Sequence, residues 1–450
     1  MNDETKNQLS WFRGVAPYIN AYRGNTVIVL VSGELLLQTD EAGMRQTRRL
    51  MEDIALLNSL GLKIVCVYGA RPQIDERLRQ GGIESQIHTD LRVTDVTTLA
   101  HLTEAVGRLQ TELQARLTQS LSSTPLRNNQ VSVAGGNFII ARPIGVVDGV
   151  DLEHTGVVRR VDTQSIRALL DLGQIVLLGP LGYSPTGEVF NLASEDVAAS
   201  VAIALHAEKL VILSEQDGLI DTEGRLVRET SVAEAMQMIG ALEASDARSA
   251  FRHERRRLLA ACRALQKGTR RVHIINGTRD GALIQEIYTR DGIGTMITDQ
   301  SYETFRAAVI DDAAGILNII RPLEEQGILV KRDRERLERE IGNFMIVERD
   351  GLIIGCAALY FYREYAAAEL ACVAVDPAYQ TGGRGDRLLL HAERKARELG
   401  AKQVFVLTTQ TAHWFLERGF RPAGLDELPE EKQRLYNFQR RSKVFIKQLA

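Results

Sequence analysis

As far as about residue 296 the chain repeats one pattern, a short apolar run followed by a longer stretch with helical spacing. The runs are TVIVLV, KIVCVYG, FIIARPIG, QIVLLGP, KLVILSE and RVHIIN. Between them lie stretches such as MRQTRRLMEDIALLNSLG, TTLAHLTEAVGRLQTELQARL and EDVAASVAIALHA. Strands that are apolar throughout have no solvent side, and strands joined through helices run parallel. The pattern predicts an α/β unit of three αβα layers with a mainly parallel sheet, preceded by a polar helical segment containing WFRGVAPYIN.

Near ITDQSYETF the pattern changes. A helix around DAAGILNIIRPLEEQG and a charged helix RDRERLEREI are followed by FMIVERDGLIIGCAALYF, two strands turning at Arg349-Asp350-Gly351. This reads as a smaller α+β unit, and the expected division is 1–296, a linker 297–303, and 304–450. Lys and Arg number 55 against 58 Asp and Glu, a net charge of -3, which argues against nucleic-acid binding through bulk positive charge. The apolar runs fall short of the roughly 20 residues that span a bilayer, and MNDETKNQ does not resemble a secretory signal. A cytoplasmic chain without membrane association is expected. Cys66, Cys262, Cys356 and Cys372 stand singly in apolar patterns, as reduced core thiols do, and the scattered histidines suggest no metal site.

The stretch VCVYGARPQIDERL reads as strand, tight turn at Gly69 and helix start, the place where a parallel sheet usually cradles a phosphate. Such cradles need glycines so that backbone N–H groups approach the anion. Here the next two positions are Ala70 and Arg71, whose side chains would crowd a nucleotide.

In AELACVAVDPAYQTGGRGDRLLLHAERKARELG a strand stops at Asp-Pro, and a Gly-rich turn leads into a long amphipathic helix beginning near Gly385. Gln380-Thr381-Gly382-Gly383-Arg384-Gly385 could wrap a pyrophosphate at the helix N-terminus, although glycines also make ordinary turns. With VFVLTT and TAHWFLERGFRPAG after it, this Q-x-x-G-x-G turn resembles the GNAT acetyltransferase superfamily over the last part of the chain. The resemblance implies acetyl-CoA as co-substrate, held by Val373, Val375, Gln380, Gly382, Gly383, Arg384 and Gly385, and no metal. It implies a splayed strand whose Val373 N–H faces the thioester carbonyl. Glu369, four residues earlier and on the same face by the two-residue period, becomes the candidate base, acting directly or through a water. Thr408 is the candidate donor to the leaving thiolate, with a water relay as the alternative. Arg332, Arg440, Arg441 and Ser442 suggest an acceptor carrying carboxylates.

The larger unit resembles the amino-acid kinase family, with Leu30-Val31-Ser32-Gly33, Tyr68-Gly69-Ala70-Arg71-Pro72 and Asn191-Leu192-Ala193-Ser194-Glu195 in place of its K-L-G-G, H-G-G-G-P and N-x-N-A-D. Leu30 stands where the phosphate-binding lysine belongs and Glu254 where a second lysine belongs, so phosphoryl transfer is not expected. The two units together, through WFRGVAPYIN, YGARPQID, TRDGIGTMI, IRPLEEQGILVKR and LYNFQRRSK, resemble the bacterial N-acetylglutamate synthase family. That implies acetylation of the L-glutamate α-amine, the first step of arginine biosynthesis, with the glutamate held by Arg332, Arg440, Ser442 and backbone near Cys372. It implies feedback inhibition by L-arginine at Tyr18, Glu286, Gly292 and Gly294, although Gly281 stands where arginine-sensitive kinases carry a histidine. It also implies a homo-oligomer, a hexamer in bacterial relatives. A GNAT enzyme acting on another amine, and an arginine-binding module with an inactive acetyltransferase half, are the alternatives.

Overall fold

Alternate residues of the first apolar run face opposite ways. Val27, Val29 and Val31 enter one core, Ile28 and Leu30 another, and all five are buried. The same division separates Val65 and Val67 from Ile64 and Cys66, so this sheet has no solvent face. The computed structural model describes residues 3–37, 40–121, 131–221, 223–244, 252–289, 292–299, 303–349, 351–380, 383–434, 436 and 441–449. The chain divides into two compact units, Met1–Gln300 and Ser301–Ala450.

In the first unit an eight-stranded sheet runs in the order Glu229–Ser231, Thr295–Thr298, Arg271–Asn276, Lys209–Ser214, Thr26–Val31, Lys63–Tyr68, Ile175–Leu178 and Val133–Ala134. Neighbours are parallel except where Arg271–Asn276 meets Thr295–Thr298. Helices Asp3–Tyr22, Glu41–Ser59, Arg71–Gln80, Val96–Gln119 and Ala282–Tyr288 cover one face. Thr163–Asp171, Ser194–Leu205, Val232–Ala244 and Arg252–Gln266 cover the other, giving the three αβα layers. Helix starts are locally encoded: the Asp95 carboxylate accepts from the Thr98 N–H at 2.7 Å, a cap typically contributing ~1 kcal/mol.

One run departs from the expectation. FIIARPIG supplies Ile139–Pro143 to a separate four-stranded sheet, ordered Val189–Asn191, Leu181–Tyr183, Ile139–Pro143 and Gly156–Val161, and not to the parallel sheet. Ile139 and Ala141 are buried there while Arg142 and Pro143 are exposed. A run that turns polar and ends in a proline, which has no N–H to donate, suits a partly exposed sheet and not a buried centre.

The second unit is a seven-stranded sheet ordered Glu303–Ala307, Phe344–Arg349, Leu352–Tyr362, Ala367–Val375, Gln403–Thr408, Lys443–Gln448 and Arg421–Ala423. Its pairings are antiparallel except between Ala367–Val375 and Gln403–Thr408. Helix Arg384–Glu398 packs on one face through Leu388, Leu389, Ala392 and Ala396. Helix Ala313–Glu325 packs on the other through Ile316, Leu317 and Ile320. Of the linker expected at 297–303, Ile297 and Thr298 end a strand of the first unit and Glu303 opens one of the second.

Candidate active site

The strand Ala367–Val375 pairs with Gln403–Thr408 only at Ala367, Ala368 and Glu369, so the two diverge from Glu369 onward. On its other side the ladder slips: Ala371 faces Ala358 and Ala374 faces Cys356, which leaves Cys372 and Val373 against the single residue Ala357. Two residues opposing one is a β-bulge, and Cys372 within it takes a left-handed backbone, with φ 55°. The bulge also resets the alternation. Val373 and Val375 pack with Ala368 and Leu370 on the side of helix Arg384–Glu398, whereas Cys372 and Ala374 lie on the side of Ala313–Glu325. The expectation that Glu369 and Val373 share a face is therefore corrected, because the two-residue period does not survive the inserted residue. The strand separates the side of helix Arg384–Glu398 from the side that carries Glu369.

Glu369 is 6% exposed. Its Oε1 lies 2.6 Å from Lys432 Nζ, and its Oε2 accepts from the Tyr362 hydroxyl at 3.3 Å. Burial, and after it the Glu369 carboxylate, push the Tyr362 phenol up, so it stays a neutral donor. On the same side Arg332 donates from Nη1 to the Val330 carbonyl at 3.2 Å and approaches Cys372 Sγ at 3.6 Å. Its buried Nε has no hydrogen-bond partner among the described residues. Burial works against its charge, but Cys372, Tyr360 and Glu340 outweigh that and raise its pKa. Ser442 is buried, and its carbonyl accepts from the Tyr436 hydroxyl at 2.7 Å. Arg440 and Gly382 lie outside the described residues.

Gly383, in the left-handed region at φ 68°, precedes helix Arg384–Glu398, and a Cβ at Gly385 would come within 3.1 Å of Trp414. Gln380 donates from Nε2 to the Val375 carbonyl at 3.5 Å, tying the turn to the end of the splayed strand. The Arg384 side chain is turned elsewhere: Nε meets the buried Glu303 carboxylate at 2.5 Å and Nη1 the Tyr379 carbonyl at 3.2 Å. Its backbone lies at the positive end of a 15-residue helix. Thr408 ends its strand as an acceptor for the Gln410 and Thr411 N–H groups, at 3.4 and 3.1 Å, and shares a 2.8 Å bond with the Thr411 hydroxyl. That is the geometry of a turn cap. Lys432, Tyr362 and Tyr360 went unread in the sequence. Tyr362 was within reach, since hairpin register sets it diagonal to Glu369, but Lys432 arrives from a distant segment.

In the first unit, a cleft of about 500 Å³ opens where Ser32, Gly69, Asn191 and Ser194 meet. Arg71 lines it and contacts the His253 ring through Nη1. Leu30 is buried in the apolar core and offers no cation to the cleft. Glu286 is 3% exposed. Its Oε1 bonds the His273 Nδ1 at 2.5 Å, and its Oε2 accepts from the Ile293 and Gly294 N–H groups at 2.6 and 3.2 Å. Burial alone would raise its pKa, but these donors overcome it and hold the carboxyl at about 2, while burial keeps His273 below its ordinary value. Gly292 has φ 55°, and a Cβ there would stand 2.7 Å from the Glu286 oxygens. Tyr18 stacks on Tyr22 at 6.5 Å, in a helix that lies against the one carrying Glu286.

Residues 25–276 match the amino acid kinase family and residues 313–420 the acetyltransferase (GNAT) family. An amino-acid acetyltransferase of Azotobacter vinelandii is 49% identical over 447 residues, 99% of this chain and 100% of that one. The chain belongs to the amino-acid acetyltransferase family. An amino-acid acetyltransferase of Pseudomonas aeruginosa is likewise 49% identical, over 98% of this chain and 99% of its own. The crystal structure of N-acetylglutamate synthase from Neisseria gonorrhoeae complexed with coenzyme A and L-arginine has a TM-score of 0.86 at 40% identity, covering 98% of this chain and 99% of that one. The same enzyme with coenzyme A and N-acetyl-glutamate gives 0.61 at 41% identity over the same shares. Family membership makes the chain an acyltransferase, consistent with a kinase-like unit whose core holds Leu30.

Proposed function

We propose that the chain transfers the acetyl group of acetyl-CoA to the α-amine of L-glutamate, giving N-acetyl-L-glutamate and CoA. The observation that carries this reading is the buried Glu369 at the point where the sheet forks. Acetyl-CoA supplies a thioester already activated toward amines. The chain's own residues must seat it, free the amine of a proton and grip the acceptor's carboxylates. Gln380, Gly383 and the N-terminus of helix Arg384–Glu398 fit a pyrophosphate, and the bulged backbone at Val373 fits the thioester oxygen. Glu369 takes the amine proton, directly or through a water. Arg332, with an unsatisfied buried N–H, fits a carboxylate, and Arg440, Ser442 and the Cys372 backbone complete the acceptor site. The Thr408 hydroxyl, bound into a turn, serves the leaving thiolate only by exchanging a partner, and a water relay is the simpler route.

The same reading gives the first unit an effector role. L-Arginine, present in the Neisseria gonorrhoeae complex, would bind near Tyr18, Glu286, Gly292 and Gly294 and inhibit. A carboxylate accepts about four hydrogen bonds and Glu286 already accepts three, which leaves room for a single guanidinium N–H. Self-association, up to a hexamer, fits the exposed Trp11 and Phe12 on the N-terminal helix. Cytoplasmic placement is part of the reading; among the described residues no helix is long and apolar enough to cross a membrane. The test is a panel of amino acids and peptide lysines incubated with acetyl-CoA, following thiol release. Glutamate should lead the panel, with arginine suppressing its rate; preference for a peptide lysine, or no turnover at all, would sink the proposal.

A further inference from the structure

Lys432 sits on the short helix Glu430–Arg434, sixty-odd residues beyond the Glu369 it reaches. Its segment is fastened by Leu428, buried beside Ala367, Phe405, Val444 and Ile446, and by Gln433, whose Nε2 donates to the Leu428 carbonyl at 2.7 Å. The lysine side chain is 23% exposed and the Glu369 side chain 7%, so the pair is held largely out of water. Two of about four acceptor positions on Glu369 are occupied, by Lys432 and by Tyr362. The remainder can receive an arriving ammonium, which would then share one carboxylate with a second cation.

We propose that Lys432 is a positioning residue for the acetyl transfer, fixing the Glu369 carboxylate at the fork and holding it in the charged form that takes the acceptor's proton. The inference rests on Glu369 being the base for an amine acceptor. In the step itself an N–H bond of the substrate ammonium breaks and an O–H bond forms on Glu369. The nitrogen keeps the electron pair with which it then attacks the thioester carbon, and Lys432 remains an ammonium throughout. The ion pair favours the charged carboxylate, the form that accepts a proton, so removing Lys432 moves the pH at which the base is available upward, as kcat/KM reads it for the free enzyme. The other groups around the pair do not replace this charge. Leu352–Tyr362 contributes the Tyr362 and Tyr360 phenols, and Gln403–Thr408 contributes the apolar Phe405. Glu431, next to Lys432, adds a negative charge near Tyr362.

The experiment compares full-length Lys432→Met, Lys432→Gln and Lys432→Arg with the unaltered chain, measuring kcat/KM for L-glutamate across pH together with acetyl-CoA binding by calorimetry. The Met and Gln variants should lose about tenfold or more at neutral pH and recover as the pH rises, the acidic limb moving up by about one unit, which is a tenfold change in proton concentration. Lys432→Arg should keep the limb near its original place, and acetyl-CoA binding should be unchanged. An unmoved limb in the Met and Gln variants overturns the proposal, as does an equal loss at every pH in all three. Should one neutral variant fail to bind acetyl-CoA, the limb of the other decides. Failure of the unaltered chain to acetylate glutamate would count against the proposed substrate, and the limb would then be read on the amine it does acetylate.

Discussion

Arg332 is half-buried and Glu286 buried, and their polar groups are satisfied to different degrees. Arg332 retains a buried N–H without a partner among the described residues, the expected condition of a group kept for a ligand. Arg332→Ala should raise KM for glutamate about 10- to 100-fold, the equivalent of a charge-assisted hydrogen bond of roughly 1.5–3 kcal/mol. KM for acetyl-CoA should hardly move, and steady-state kinetics with each substrate varied checks the split. Glu286 is satisfied, and its pKa falls from 4.5 unfolded to about 2 folded. The folded state binds its proton less readily, so this stability is fully present above about pH 4.5 and is lost as pH falls toward about 2. His273 adds the same sign from about pH 6.5 downward, because its burial favours the neutral ring. Urea unfolding of the first unit's transition should lose roughly 3 kcal/mol over the lower window, and Glu286→Gln should flatten that dependence. An unchanged slope in the variant would assign the acid loss to other groups.

Two bent backbones organise the two sites, and they differ in how visible they were in the sequence. The loop before Thr295–Thr298 turns at a glycine, and GIGT announces it: Gly292 sits at φ 55° because no side chain fits between the loop and Glu286. Gly292→Ala places a Cβ 2.7 Å from the carboxylate and adds left-handed strain of about 1–2 kcal/mol. The arginine concentration for half inhibition should rise at least about fivefold with uninhibited turnover retained, and an unaltered arginine titration would remove this loop from the effector site. The bulge at Cys372 is also left-handed, but a cysteine there gives no warning. Period-two reading therefore carried Glu369 and Val373 to one face. The parallel strands were legible because apolarity at every position admits few alternatives, as in TVIVLV, whereas FIIARPIG looked alike until its Arg-Pro end met solvent. Glu369 was legible from its motif. Lys432 was not, because a contact across more than 60 residues of sequence leaves no local pattern.

The chain joins a unit whose kinase-like cleft is lined by Ala70 and Arg71, with Leu30 buried in the core, to a unit whose sheet forks at a buried acid. The first holds the buried Glu286 carboxylate against a glycine loop, as the proposed effector site requires, and buries Leu30, which stands where the kinases' phosphate-binding lysine belongs, in its apolar core. The second contains a buried carboxylate, a bulged strand and a helix N-terminus, the groups that the proposed acetyl transfer uses. Coupling between them requires arginine to favour one of two arrangements that differ in acetyltransferase competence. All of this depends on Glu369 taking the proton from glutamate. The direct measurement is single-turnover acetylation by full-length Glu369→Gln and the unaltered chain, both saturated with acetyl-CoA and L-glutamate near neutral pH, with N-acetylglutamate quantified by mass. The variant should bind acetyl-CoA normally and form product about 10²- to 10⁴-fold more slowly; product formed at the unaltered rate would contradict the account.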